Sequence, residues 1–303
     1  MKKKIKYIEF ESDKNDSINI ALISLMSTDE EWKNNVMNIS YNKTQKIENL
    51  LKIVKAIIKS KQKIDYVVFP ELSIPQEIVL YITEKLLRIG ASVLMGVEYR
   101  HTNLAEVKSE IKGNVHNEMV YFLTTKSLNS LEHLAIVQEK VKPAIQEEKE
   151  LFDIGGKQMA CNNDTKFIIK HNNSFFSTLI CNEFLDIDLR SQLRGEIDLL
   201  FVLEWNRDTK TYDALVNASA NDLHCYIAQV NNRKYGDTRL RAPYAEEYKR
   251  DIVKIKGGEY DYFVVGKVEF QSLRNFQSLH RGLNGEFKPL PTGYNISDKR
   301  EVK

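Results

Sequence analysis

The sequence predicts a mixed α/β fold, and three features of its patterning carry that expectation. Short β-branched and aromatic runs, bounded by Pro, Gly or polar residues, recur between residues 18 and 268, the mark of buried strands. Between them lie stretches with apolar residues at helical spacing. The clearest is 44–59, where Ile47, Leu50, Leu51, Ile53, Val54, Ile57 and Ile58 share one face and lysines take the other. The order strand, helix, strand, helix, strand over residues 18–97 implies parallel pairing through right-handed crossovers.

Each element follows from local chemistry. The opening Met1-Lys-Lys-Lys-Ile-Lys run lacks the apolar stretch of a signal peptide and reads as a solvated tail. Residues 18–25 form the first strand, and the polar stretch 28–35 reads as a loop near the mouth of a site. After helix 44–59 comes strand 66–69, stopped by Pro70. Ser73 and Pro75 open a second amphipathic helix over 76–89, and 92–97 is a third strand. Runs 119–124, 133–139, 166–170 and 174–180 have short polar links, which predicts antiparallel hairpins. Asn172-Asn173 suits a tight turn between the last two. Helical 184–193, strand 197–203, helical 211–223 and strand 226–230 restore the alternation, before strand 260–268 and a short helix 271–276. One domain is expected over 1–281, followed by a polar, proline-punctuated tail or arm over 282–303.

Three polar residues close three of these runs: Glu71 ends 65–71, Lys140 ends 133–140 and Cys181 ends 175–181. A carboxylate, an ammonium and a thiol at strand ends outline a nucleophilic site on one rim of a sheet. Taken singly, such a cysteine is more often an inert core residue, and a strand-end glutamate or lysine a solvated one. Their order carries the information. Phe69-Pro70-Glu71, Lys140-Val-Lys-Pro143-Ala-Ile-Gln-Glu147-Glu148 and Leu179-Ile-Cys181-Asn-Glu183 together resemble the carbon–nitrogen hydrolase (nitrilase) superfamily. So do Leu199-Leu-Phe-Val-Leu-Glu-Trp205-Asn206 and Leu223-His-Cys-Tyr-Ile-Ala-Gln-Val-Asn231-Asn232 with Gly236-Asp-Thr-Arg239 and Pro243. The resemblance runs from residue 18 to about 270.

It implies a four-layer α-β-β-α sandwich of the nitrilase type, which periodicity alone does not reach. It also implies a division of labour. Cys181 is the nucleophile, Glu71 the general base, and Lys140 the holder of the oxyanion, a role typically worth about 3–4 kcal/mol. The product of the first half-reaction is an acyl-thioester that water then hydrolyses. Lys142 rivals Lys140, since the two share a face in extended chain; the resembled pattern favours Lys140 through Pro143 and Glu147. Glu147 is the supporting glutamate beside the lysine, with Glu148 close behind. Glu183 either matches the family's acidic position or starts a helix. Trp205 and Asn206 line a pocket by resemblance, although a buried tryptophan also suits a core. Asn231 orients a polar substrate or shapes its loop.

True nitrilases carry Cys-Trp-Glu at the nucleophile, whereas this chain has Cys181-Asn182-Glu183. The expected substrate is therefore a small-molecule amide. Similarity to nitrilase-like domains that accompany antiviral defence modules implies an alternative, a module latent until a partner orders 28–38 and 234–247. The family's habits imply a homo-oligomer. Composition narrows the rest. With 44 basic and 42 acidic residues the net charge is +2, too balanced to draw nucleic acid or a membrane surface. No apolar run approaches the ~20 residues that span a bilayer, so a cytoplasmic protein is expected. Three cysteines (Cys161, Cys181 and Cys225) and six histidines show neither disulfide pairing nor metal-ligand spacing, and no cofactor is expected. Gly155-Gly156 and Gly257-Gly258 read as turns, not as a phosphate loop.

Overall fold

The computed structural model describes residues 4–10, 15–103, 111–127, 130–279 and 285–302. In chain order the strands are β1 (Ile5–Glu9), β2 (Ile18–Ser24), β3 (Tyr66–Val68), β4 (Ser92–Thr102), β5 (Gly113–Ser127), β6 (Ser130–Glu139) and β7 (Lys157–Met159). They continue as β8 (Lys166–His171), β9 (Ser174–Ile180), β10 (Leu199–Glu204), β11 (Tyr226–Asn231), β12 (Thr238–Arg241), β13 (Asp251–Ile255) and β14 (Tyr262–Val268). The helices are α1 (Asp29–Met37), α2 (Thr44–Ser60), α3 (Val79–Leu87), α4 (Ile145–Gly155), α5 (Ile187–Leu193), α6 (Thr209–Asp222), α7 (Glu247–Arg250) and α8 (Phe270–Leu279).

Two sheets result. One has the order β14-β2-β3-β4-β5-β6, with β7 paired to the start of β5; the other is β1-β8-β9-β10-β11-β12-β13. As expected, β2, β3 and β4 are parallel, and the β5–β6 and β8–β9 pairings are antiparallel; β5 also pairs antiparallel with β4. Asn172 and Asn173 take φ of 50° and 60°, the left-handed pair that a tight hairpin turn needs.

Period-two alternation sorts each strand between two interiors. Ile20 and Leu22 of β2 face Phe176, Ile180, Leu199, Phe201 and Leu203 of the second sheet, while Ala21 and Ile23 point outward. Those outward residues meet Leu50, Ile53, Val54 and Ile57 of α2 and Ile82 and Leu86 of α3. On the far side Leu179, Leu200 and Val202 meet Leu189 and Leu193 of α5 and Val216 and Ala220 of α6. Helix, sheet, sheet and helix therefore stack as four layers. Among the described residues no helix is long and apolar enough to cross a membrane.

Two expectations need correction. The basic opening run does not end in free tail: Ile5–Glu9 pairs in parallel with β8 as an edge strand. Its mixture of apolar and charged residues, none of them fully buried, suits a half-exposed edge. Residues 29–37 are helix, not loop. Thr28 Oγ1 accepts the Glu31 N–H at 3.1 Å and the Glu31 carboxylate accepts the Thr28 N–H at 2.9 Å, a reciprocal cap that starts a helix with little apolar content.

At the C-terminus the boundary placed at 281/282 lies outside the described residues. The expected tail or arm, over 285–302, is docked on the body. Phe287 stacks on Tyr244 with ring centroids 4.9 Å apart. Arg300, only 2% exposed, donates to Asp198 (2.7 Å), the Gly195 carbonyl (2.7 Å) and Gln277 (2.9 Å). Gly195 has φ +78°, and a Cβ there would meet the Asn295 carbonyl oxygen at 1.9 Å, so glycine is what lets the segment approach.

Burial alone would raise the Asp198 carboxyl, yet Arg300 and Arg274 outweigh it and hold the group below its ordinary value. Arg300→Ala should therefore lower unfolding stability by about 3–5 kcal/mol, read from urea midpoints near neutral pH. Because the folded value is depressed, this contribution is lost as pH falls through it. The gap between wild type and variant should narrow in acid. An unchanged midpoint at neutral pH would show that the segment is not docked.

Candidate active site

Glu71, Lys140 and Cys181 all border one cavity of about 410 Å³ at the strand ends between the sheets. Glu71 reaches it from the turn after β3. That turn lies flat on β4: a Cβ at Gly96 would sit 2.4 Å from the Glu71 Cα. The carboxylate is 2% exposed and held on both oxygens. Oε1 accepts from Asn117 Nδ2 (2.7 Å) and Lys140 Nζ (2.9 Å), and Oε2 from the Trp205 backbone N–H (2.8 Å).

Lys140 follows β6 and is 1% exposed. Its ammonium also donates to Glu147 Oε2 at 2.6 Å. Glu147 stands in the first turn of α4, an element the sequence reading left out. It receives in addition the Tyr99 hydroxyl (2.6 Å) and the Ala144 N–H (3.1 Å). Lys142, the rival lysine, is exposed, as is Glu148, and neither lines the cavity.

Cys181 begins a short 3-10 turn after β9 with φ +47°. A non-glycine residue there is strained, a feature that concentrates at functional sites. The turn swings the side chain to the cavity floor at 8% exposure. Glu183 is buried beneath it, where Lys166 pairs with the carboxylate at 2.6 Å.

Of the remaining candidates, Trp205 and Asn206 line the cavity. Asn231 does not. It is fully buried, its Oδ1 accepting the Asn206 N–H (2.9 Å) and its Nδ2 donating to the Asn206 (2.9 Å) and Gly236 (2.8 Å) carbonyls. It shapes the loop, because in-register pairing places Asn231 beside Glu204 at the ends of β10 and β11. Sequence reading missed Asn117, Tyr99, Trp32 and Tyr212. Asn117 had a signal: it extends backward the inward face of Met119, Tyr121 and Leu123 at period two.

His116, Glu118 and Glu139 bring their ligand atoms within 4.8 Å of one another behind this site. Arg100 already supplies positive charge there, at 2.6 Å from Glu118 and 3.3 Å from Glu139. These three are the described residues best placed to hold a metal ion, and the guanidinium would have to leave.

Burial pushes the Glu71 carboxyl up; Lys140 opposes the rise and Glu147 adds to it. Burial would also raise Glu147, but Lys140 outweighs it and holds that carboxyl low. The Lys140 ammonium stays charged because the two carboxylates overcome its desolvation. Burial, reinforced by Glu71, pushes the Cys181 thiol well up against the pull of Lys140. These directions favour a protonated Cys181 thiol over a resting thiolate.

No family model and no curated protein matches the sequence. Solved structures do match in shape. A CN-hydrolase superfamily protein of Xanthomonas campestris, with an arsenic adduct in its active site, is 13% identical with a TM-score of 0.56, over 87% of this chain and 95% of that one. Saccharomyces cerevisiae Nit3, of branch 10 of the nitrilase superfamily, is 13% identical with a TM-score of 0.57, over 89% and 98%. A variant of the amidase from Nesterenkonia sp., with the acetamide moiety of fluoroacetamide added covalently at its active-site cysteine, is 13% identical with a TM-score of 0.52, over 85% and 93%.

The thiol assignment has a direct check. With Glu71 neutral, Lys140 would face Cys181 with one carboxylate fewer to satisfy. The Cys181 thiolate, read by its ultraviolet absorbance against a Cys181→Ala blank, should therefore appear at lower pH in Glu71→Gln than in wild type. Cys161, half-buried and pushed up to about 11 by burial and Glu139, contributes equally to both and cancels in the difference. A Cys181 thiolate that appears at the same or a higher pH in the variant would show that Glu71 does not hold the thiol protonated. Over most of its length the chain, with its two sheets between outer helices, has the fold of the carbon–nitrogen hydrolase (nitrilase) superfamily.

Proposed function

We propose that the protein hydrolyses a non-peptide carbon–nitrogen bond in a small-molecule amide through a Cys181 thioester. The observation that carries this reading is the convergence of Glu71, Lys140 and Cys181 on one cavity, with the Glu71 carboxylate fixed on both oxygens.

Glu71 takes the thiol proton as Sγ attacks the carbonyl carbon, so charge on sulfur never has to persist unprotected. The carbonyl oxygen becomes an alkoxide beside the Lys140 ammonium, whose position Glu147 fixes from the far side. Collapse of the tetrahedral adduct breaks the C–N bond, and Glu71 returns its proton to the departing amine. Water then enters, Glu71 takes a proton from it, and hydroxide addition expels the thiolate. The thiolate recovers its proton and leaves a carboxylic acid. Trp32, Tyr99, Trp205 and Tyr212 give the cavity aromatic walls that suit the apolar part of a small ligand. Preference for amides over nitriles rests on Cys181-Asn182-Glu183 in place of the Cys-Trp-Glu of true nitrilases.

Cys181→Ala, Glu71→Gln and Lys140→Met should each cut hydrolysis of small carboxamides by about 10³-fold or more, with circular dichroism unchanged. Fluoroacetamide should leave an adduct on Cys181 alone. Activity of Cys181→Ala within tenfold of wild type would sink the covalent route. Because Glu71 must be ionised to act and its carboxyl is raised by burial, kcat/KM should climb with pH along an acid limb above the ordinary glutamate value of about 4.3. A limb at or below that value would remove Glu71 from the role of base.

A further inference from the structure

Behind the triad lies a buried ion pair that grips the backbone on both sides of Lys140 and on one side of Cys181. Lys166, the first residue of β8, and Glu183, two residues after the nucleophile, have side chains 0% and 4% exposed. The Lys166 ammonium lies 2.6 Å and 2.7 Å from the two Glu183 oxygens. Its third donor reaches the Glu139 carbonyl at 3.1 Å, the residue immediately before Lys140. Glu183 Oε1 accepts the Val141 N–H at 2.9 Å, the residue immediately after Lys140. Glu183 Oε2 accepts the Ile180 N–H at 3.0 Å, the residue immediately before Cys181.

The pair thus binds a backbone group on both sides of Lys140, which belongs to one sheet, and one beside Cys181, which belongs to the other. Lys140 and Cys181 come from different sheets, so no shared ladder fixes their separation. We propose that Lys166 and Glu183 are positioning residues that set this spacing, and so determine where the oxyanion forms relative to the ammonium. This inference rests on the amidase reading for its kinetic consequence.

Stability alone does not account for the pair. Replacing a buried ion pair by neutral groups of similar volume is often neutral or stabilising, because two desolvation costs disappear with it. Geometry is another matter, since a shift of about 1 Å remote from the chemistry can cost on the order of 100-fold in rate. A positioning role therefore separates kinetics from stability in a way that a purely structural role does not.

The test is the double variant Lys166→Met/Glu183→Gln, measured beside wild type for urea midpoint, kcat and KM on the same carboxamide. The expected result is a midpoint unchanged or raised, kcat lower by about 10- to 100-fold and KM within about threefold. A folded double variant with kcat within twofold of wild type would overturn the proposal. Lys166→Arg covers the case in which the double variant does not fold. It keeps the buried charge, but its planar fork does not reproduce three bonds from one atom; kcat should fall with KM held, and an unchanged kcat would again overturn the idea. Amide hydrogen exchange at Val141 and Ile180 is independent of any substrate. If wild type turns over no carboxamide, the amidase reading falls, and the clamp is judged by exchange alone. Faster exchange at those two positions in Lys166→Arg supports it, and unchanged exchange rejects it.

Discussion

One ammonium shared between two buried carboxylates organises the site. Lys140 stands 2.9 Å from Glu71 and 2.6 Å from Glu147. At such distances each attraction is on the order of 5 kcal/mol in an effective dielectric of about 20, comparable to the several kcal/mol that desolvating each ion costs. Without the lysine, two neighbouring buried carboxylates could not both remain charged. With it, Glu147 is the firmer anion and Glu71 keeps a raised proton affinity. In the reaction proposed above, that asymmetry would let Glu71 bind a proton from the thiol and still release it to an amine.

The same sharing limits what the lysine does for the nucleophile. A lone ammonium beside a cysteine would favour the thiolate, as the strand-end order of Lys140 and Cys181 suggests on its own. Here its charge is already matched twice over, and burial and Glu71 keep the Cys181 proton in place. In the proposed reaction sulfur is therefore activated during attack rather than before it. In that reaction the Lys140 ammonium, already paired with Glu71 and Glu147, gains a third negative neighbour only when the substrate oxygen becomes an alkoxide, which is the condition for stabilising a transition state more than a ground state.

Legibility in the sequence followed the kind of force that holds each part. The central strands and α2 could be read because burial of apolar side chains imposes period two or 3.6 on the residues themselves. Glu71, Lys140 and Cys181 stood out because each ends an apolar run. Asn117 did not, lying inside β5 ahead of the stretch that reads as strand, and Tyr99 similarly falls in the part of β4 beyond residue 97. Helix α1 was opaque because a reciprocal cap and one fully buried side chain, Val36, do the work of an apolar face. Docking of 285–302 was opaque because it hangs on Arg300, a residue type that reads as solvated unless its partner is known.

Lys140, Lys166 and Arg300 share that property, and it has a common physical cause. Each is at most 2% exposed and each meets a carboxylate brought from elsewhere in the chain. A buried cation is tolerable only where its counter-ion is guaranteed by the fold, so such residues report on tertiary structure and not on local sequence. Asp198 gathers Arg274 and Arg300 and fastens the C-terminal segment and α8 to the second sheet. Glu183 gathers Lys166 with three backbone groups across both sheets. Glu71 and Glu147 gather Lys140 in the cavity. Only this last assembly faces a space where new charge is able to arise. The other two are closed and matched, and that difference in access, rather than any difference in burial or bond length, is what separates the arrangement proposed as catalytic from the two structural ones.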